Sequence, residues 1–273
     1  MKKTLTILIL LSTITTYAQE HKLQKLWETD TIVAIPESVL PDQKKDLMYV
    51  SLIKGGGWDV DGVGGVGIMS FDGKKYDSTW ITGLNCPKGM GIVKNRLYVA
   101  DYNAVIIIDR EKGQIEKKVT HDSAKGFNDI TVSDQGTVYV SDSRTGKVYK
   151  MENDALTLYL ENLPGVNGLK AVGNELIIGA GKSFVKADAQ KNITKIADLP
   201  QGADGIEPVG NGDYIVTAWA GYIFYVHADG KVDTLLETAA QKKNTADIGY
   251  DPKKRIIYVP TFNGKTVTAY QLQ

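Results

Sequence analysis

The chain has 273 residues, 42% of them apolar, and its 32 basic and 32 acidic residues cancel. That length holds one large or two ordinary domains, and the apolar share is enough to bury a core. The balance of charge offers neither a basic footprint for nucleic acid nor an acidic tail, so a neutral or small ligand is the expected partner.

In chain order, Lys2 and Lys3 precede an apolar run from Leu5 to Leu11, and small and hydroxyl residues follow up to Ala18. This is the order of a secretory signal peptide over residues 1–18, with cleavage expected between Ala18 and Gln19. The run is shorter than the ~20 apolar residues of a spanning helix, so a soluble product secreted or held in a bacterial periplasm is expected. The one Cys, Cys86, excludes an internal disulfide, and no Cys follows the signal to carry a lipid anchor. His21, His121 and His227 have no second His at metal-binding spacing and read as surface residues.

The stretch GGGWDVDGVGGVG, Gly55 to Gly67, contains a G-x-G-x-x-G spacing at Gly62, Gly64 and Gly67. A dinucleotide site needs a helix after the glycines to hold the phosphate. Here a short strand through Ile68 and Ser70–Phe71 follows, ending in the turn Asp72-Gly73. Asp59 and Asp61 give a partial calcium-loop spacing without the third oxygen ligand or the closing Glu. The expectation is a flexible glycine-rich hairpin loop in the first repeat.

Six segments further along the chain look alike: DLMYVS (Asp46 to Ser51), RLYVAD (Arg96 to Asp101), TVYVSD (Thr137 to Asp142), ELIIGA (Glu175 to Ala180), DYIVTA (Asp213 to Ala218) and RIIYVP (Arg255 to Pro260). Each is a β-branched and aromatic run, and most follow a turn such as Asn211-Gly212. After most comes a second strand, as in AVIIID, and often a third, as in QIEKKV. Units of ~40 residues built from consecutive antiparallel strands are the signature of propeller blades. The predicted fold is all-β, a single six-bladed β-propeller over residues 19–273. The last repeat has room for three strands, so Leu23 to Ile32 is expected to supply its outer strand, with Trp27 packed there and the N- and C-terminal segments closing the ring.

Innermost strands line the central channel of a propeller, so their equivalent first residues converge at its mouth. Aligned on the repeated strands, these are Glu37, Lys88, Asn128, Asn167, Asp204 and Thr245. Asn-Asp and Asn-Gly are also ordinary turn pairs. Two carboxylates and two carboxamides facing one point nevertheless make an oxygen nest suited to Ca²⁺ or Mg²⁺, with Mn²⁺ or Zn²⁺ as further options.

The phrases IPESVLPDQKKDLMYVS, GFNDITVSDQGTVYVSDS, GVNGLKAVGNELIIG and GADGIEPVGNGDYIV resemble the senescence-marker-protein/gluconolactonase (regucalcin-like) family over nearly the whole mature chain. The resemblance implies a six-bladed propeller holding one divalent metal ion, Ca²⁺ foremost, through Glu37, Asn167 and Asp204. It implies that Asn128 contacts substrate or metal-bound water. It also implies hydrolysis of a sugar lactone or similar cyclic ester, with Asp204 taking a proton from the attacking water.

Two positions depart from that pattern. Where the family's enzymes often carry an Arg, two residues before the Asn of the N-D pair, this chain has Gly126, with Lys125 before it. Lys88 stands in the converging ring, where its ammonium either pairs with Glu37 or Asp204 and contacts substrate, or tilts to solvent. LYVADYNAVIIID and VYVSDSRTGKVYK also resemble the NHL repeat of binding propellers, so the alternative is a non-catalytic propeller binding a small carbohydrate-like ligand or a protein, with Lys88 in place of the metal. Trp58 and Trp219 are candidates to rim the channel, Trp219 being expected rather to pack between blades. Cys86 reads as a buried small side chain, and a monomer is expected.

Overall fold

A computed structural model of the chain describes residues 21–30 and 32–273; the expected signal peptide and its cleavage point lie outside the described residues. The strand β1 (Leu23–Glu28) comes first. Blade 1 follows as β2 (Pro36–Asp42), β3 (Leu47–Leu52), β4 (Gly64–Met69) and β5 (Tyr76–Leu84). Blade 2 is β6 (Pro87–Val93), β7 (Arg96–Asp101), β8 (Ala104–Asp109) and β9 (Gln114–Thr120). Blade 3 comprises β10 (Phe127–Val132), β11 (Val138–Asp142), β12 (Lys147–Glu152) and β13 (Ala155–Leu160). Blade 4 comprises β14 (Val166–Val172), β15 (Glu175–Ala180), β16 (Ser183–Ala187) and β17 (Ile193–Asp198). Blade 5 comprises β18 (Ile206–Gly210), β19 (Asp213–Ala218), β20 (Tyr222–Val226) and β21 (Val232–Glu237). Blade 6 has three strands of its own, β22 (Gly249–Asp251), β23 (Ile256–Pro260) and β24 (Val267–Leu272). Its fourth is β1, antiparallel to β24, so the order is β1-β24-β23-β22 and the ring is closed by both ends of the described chain.

The six recurring sequence segments form the second strand of each blade. Their continuous apolar character follows from burial on both faces. In β8, Val105 and Ile107 pack into the core shared with blade 3, whereas Ile106 and Ile108 pack into the core shared with blade 1. Successive side chains point to opposite faces of a sheet, so a strand sandwiched between two neighbours must be apolar at every position. Six such cores occur, one between each adjacent pair of blades. The core between blades 6 and 1 joins Tyr258, Val267 and Ala269 to Val39, Met48 and Val50, with Trp27 against it. The outer strand β9, by contrast, buries only Val119 of its seven residues.

Some boundaries differ from the sequence reading: the strand expected through Phe71 ends at Met69, and the outer strand expected to reach Ile32 ends at Glu28. Gly64, Gly65 and Gly67 belong to β4 rather than to the loop, which ends at Val63. The register of β4 on β5 shifts twice, and the backbone carbonyls of Ile81 and Asp77 stand where side chains of Gly65 and Gly67 would point. Glycine is needed there for close approach of two backbones, a demand that turn chemistry does not reveal. The Asp72-Gly73 turn is as expected, closed by Gly73 N–H to Ser70 O at 2.9 Å.

Candidate functional site

The channel mouth is built by a bulge repeated in the inner strands. The register shifts between Pro36 and Val39, Pro87 and Met90, Phe127 and Ile130, and Val166 and Leu169. Each bulge holds two residues whose backbone does not follow the ladder. Their second N–H is met by a hydroxyl from the neighbouring strand in blades 1 and 3, Ser38 N–H to Ser51 Oγ (2.8 Å) and Asp129 N–H to Ser141 Oγ (2.9 Å), and just before β18 the equivalent Gly205 N–H is met by Thr217 Oγ1 (2.8 Å). Those hydroxyls are the Ser or Thr of YVS, YVSD and IVTA, so the repeated strand carries the support for the site beside it.

The bulges stack two layers. The outer layer is Glu37, Lys88, Asn128, Asn167, Asp204 and Ala246; the inner one is Ser38, Gly89, Asp129, Gly168, Gly205 and Asp247. Ala246 corrects the expected Thr245 by one residue, because Ala246 N–H donates to Pro260 O just as Asp204 N–H donates to Thr217 O. The Thr245 hydroxyl instead lies 2.8 Å from the carbonyl oxygens of both Ala218 and Tyr222, bracing blade 5. The polar criterion favoured Thr245 over an alanine that brings no chemistry.

Four of the other five meet in pairs, Glu37 with Lys88 and Asn167 with Asp204, while Asn128 turns to Ser143. Lys88 does not tilt to solvent: it is 4% exposed, as is Glu37, and its Nζ lies 3.6 Å from Glu37 Oε1. Asn167 Nδ2 donates to Asp204 Oδ1 at 3.2 Å, and Asn128 Nδ2 to Ser143 Oγ at 3.0 Å. Two buried oxygens at the mouth have no hydrogen-bond donor, Glu37 Oε2 and Asn167 Oδ1. Burial pushes the Glu37 carboxyl above its ordinary value against the pull of Lys88. Asp204 is pushed well up, first by burial and then by the neighbouring Glu37 and Asp247 carboxylates, with Lys88 opposing.

Sequence reasoning missed the inner layer. Asp129 accepts 2.6 Å hydrogen bonds from the backbone N–H groups of Ile130 and, across to blade 4, Leu169. The Ser38 hydroxyl donates to Asp247 Oδ2 at 2.5 Å, which ties blade 1 to blade 6. Burial raises both carboxyls, Asp129 well above its ordinary value and Asp247 to about 7, in spite of the Ser38 hydrogen bond. Deeper still, Lys170 and Glu207 pair at 2.7 Å. Aligning the repeats one position further along would have exposed Asp129 and Asp247 as a layer of their own.

Above the mouth lies the glycine-rich loop. Trp58 places its ring centroid 4.6 Å from Lys88 Nζ and 4.7 Å from Arg144 Cζ. Arg144 was also missed, although its stem fills the space left open by Gly126: a side chain there would meet Arg144 Cγ at 2.7 Å and Trp58 Cζ3 at 3.1 Å. Hairpin register gives the missing signal, since Phe127 pairs with Asp142, two residues before Arg144. Asp59 and Asp61 accept from Gly56 and Val63 N–H and shape the loop itself. Trp219 is 46% exposed with its ring edge-on to Phe262, so it rims the mouth rather than packing between blades. Cys86 is buried and its thiol is pushed up to about 11 by burial, as befits an inert small side chain.

A metal ion here would rest on two carboxylates and a carboxamide, since among the described residues no three His, Cys, Asp or Glu side chains group as a metal cage. The donors are all oxygen and two are unpartnered, which fits a hard divalent cation. Lys88 is the competing charge.

No protein-family model matches the chain, and no curated protein matches it. Solved structures do. A catalytically inactive variant of virginiamycin B lyase from Staphylococcus aureus with quinupristin aligns with a TM-score of 0.67 at 15% identity, over 93% of this chain and 100% of that one. A streptogramin B lyase structure aligns at 0.69 and 11% identity, over 93% and 98% of the two chains. At these identities the likeness is one of fold: a six-bladed β-propeller.

Proposed function

We propose that this chain is a divalent-metal-assisted hydrolase of small cyclic esters, sugar lactones among them, acting outside the cytoplasm as its signal-like start suggests. The observation that carries the reading is the pair of buried, donor-free oxygens, Glu37 Oε2 and Asn167 Oδ1, in a mouth where the carboxyls of Glu37 and Asp204 face the single ammonium of Lys88. Burying a polar oxygen without a partner costs about 1–3 kcal/mol, so two at one point call for a ligand. The family resemblance read from the sequence points to the same three residues.

Glu37, Asn167 and Asp204 would hold the cation. When bound, it supplies polarisation of the ester carbonyl and a lowered pKa for an adjacent water. Asp204 takes a proton from the water as its oxygen bonds to the carbonyl carbon. The ester C–O bond then breaks, and Asp204 returns the proton to the leaving alkoxide. Lys88 donates to the carbonyl oxygen, and Asn128 holds the ring of the substrate from the adjacent blade 3.

The neighbouring lyase is inactive once one of its histidines is replaced by alanine. In this chain His121 packs on Tyr149, while His21 and His227 gather about Tyr225, so the carboxylate route is preferred to one through histidine. Elemental analysis of protein purified without chelator tests the proposal, with lactone and aryl-ester hydrolysis alongside. About one divalent ion per chain, lost in Glu37→Gln together with turnover, is expected; metal-dependent turnover surviving Asp204→Ala would remove Asp204 as the base.

The 3.6 Å contact of Lys88 with Glu37 favours a second reading, a metal-free propeller that binds a small carbohydrate-like ligand through Lys88. Protein that takes up no Ca²⁺, Mn²⁺ or Zn²⁺ until Lys88 is changed to Met would select it.

A further inference from the structure

The connection between the second and third strands of blade 1 spans residues 53–63, whereas the equivalent connection is 102–103 in blade 2 and 181–182 in blade 4. This long loop starts with Lys54 at φ 61° and turns back at Gly62 with φ 71°, both left-handed. Among the described residues, the hydrogen bonds of residues 55–63 run only to residues 53–63, and Lys54 at the base donates through Nζ to Ser78 O of the same blade at 3.1 Å. What joins the loop to the other blades is ring contact. Trp58 meets Lys88 of blade 2 and Arg144 of blade 3, and a side-chain carbon added at Gly57 would stand 3.7 Å from the Phe262 ring of blade 6. Arg144 also lies 5.8 Å from the Tyr102 ring, so its guanidinium is held between two aromatic residues.

Lys88 is therefore shared: its ammonium serves Glu37 below and the Trp58 ring above. A ligand oxygen that takes up Lys88 must enter where the indole now lies. We propose that residues 54–63 are a lid over the ligand site, that Trp58 is its specificity-determining residue, and that exposed Arg144 is the latch holding it closed. The lid rests on the reading of the channel mouth as the ligand site. Compact cyclic esters are enclosed once the loop recloses, with Trp58 stacked on their ring. Esters with a long acyl arm or a bulky aryl group hold the lid open, leaving Lys88 and the reacting carbonyl in water.

Acrylamide quenching of tryptophan emission tests this, the Trp58 contribution being the difference between the native protein and Trp58→Phe. One cation–π contact is worth a factor of about 2 to 5 in a closed-to-open equilibrium. Arg144→Ala is expected to raise the quenching constant of that contribution by about the same factor, and Arg144→Lys, which keeps a cation, to restore most of the protection. Equal quenching in native protein and Arg144→Ala overturns the latch. In hydrolysis, Trp58→Ala is expected to shift kcat/KM away from δ-valerolactone and toward 4-nitrophenyl butyrate by about tenfold, the scale of a modest pocket discrimination. An unchanged ratio overturns Trp58 as the specificity residue. Quenching needs no turnover, so a chain that hydrolyses neither probe counts against the hydrolase reading while the lid is still judged by fluorescence.

Discussion

The two layers of the channel use similar residues to opposite ends. In the inner layer, Asp129 and Asp247 have donors supplied by the scaffold: two backbone N–H groups for the first and the Ser38 hydroxyl for the second. In the outer layer, one residue closer to the mouth, Glu37 Oε2 and Asn167 Oδ1 have none. The inner carboxylates stitch one blade to the next, and the outer ones wait on something the fold does not provide. A buried acid is thus informative only together with its partners.

The sharpest way to break this contrast is to remove an acid from each layer. Asp129→Ala strips two buried backbone N–H groups of their acceptor, at about 1–3 kcal/mol each, so a loss of roughly 3 kcal/mol in urea unfolding is expected. Glu37→Gln alone would leave the buried Lys88 ammonium, 3.6 Å away, unpaired, so the acid is removed together with that charge: Glu37→Gln combined with Lys88→Met should stay within about 1 kcal/mol of the native protein or rise. The reverse ranking would dissolve the distinction between the layers. Added Ca²⁺ should then separate them from the other side: at about 100 times its Kd a ligand stabilises by about 2.7 kcal/mol, read as a rise in Tm, and the rise should vanish in Glu37→Gln while persisting in Asp247→Asn.

The pH dependence comes next in size. Because the Asp247 carboxyl is raised in the fold to about 7, the folded state binds its proton more tightly than the unfolded chain does. Its contribution is therefore complete below the unfolded value near 3.8 and is lost as pH climbs through about 7. Unfolding free energy without added metal should fall between pH 5 and pH 8, and Asp247→Asn should flatten that slope, by up to about 2 kcal/mol once solvent in the channel is allowed for. The smallest effect concerns the register correction. Thr245→Val should cost about 1 kcal/mol through its lost hydrogen bond to blade 5 and leave Ca²⁺ uptake as it was, which chemical denaturation and isothermal titration can check.

Much of this was legible in the sequence, for identifiable reasons. Strands buried on both faces leave continuous β-branched runs, so YVS, YVAD, IIGA, IVTA and YVP marked the six blades. A repeat transfers its register, so five residues of the outer layer followed from alignment alone. It failed at blade 6, where polarity was allowed to choose between Thr245 and Ala246. What stayed hidden depends on contacts between distant segments. Trp58 meets residues of blades 2 and 3, and Arg144 fills the room that Gly126 vacates from the far end of a hairpin. No local pattern announces a glycine whose purpose is another residue's side chain. The glycine fingerprint of a nucleotide site was rejected for lack of a helix, and the strand β4 bears that out.

The seam of the ring has a bearing on time as well as on shape. Strand β1 is the earliest of the described strands to be synthesised, and its partner β24 is the latest. Lys22 and Gln273 even exchange backbone hydrogen bonds, so the two ends of the described chain lie side by side. Until β24 exists, β1 has no edge to join, and the core between blades 6 and 1 lacks half its residues. Blades 1 to 5 are each continuous in the chain and are free to form hairpin by hairpin, but closure couples segments at the greatest possible sequence separation, which makes it the slow event of folding. A circular permutant that links Gln273 to Lys22 and opens the turn at Asp188–Lys191 would turn this seam into an ordinary hairpin and move the long-range closure to blade 4, between β16 and β17. The ring would be the same and the order of its assembly would be new.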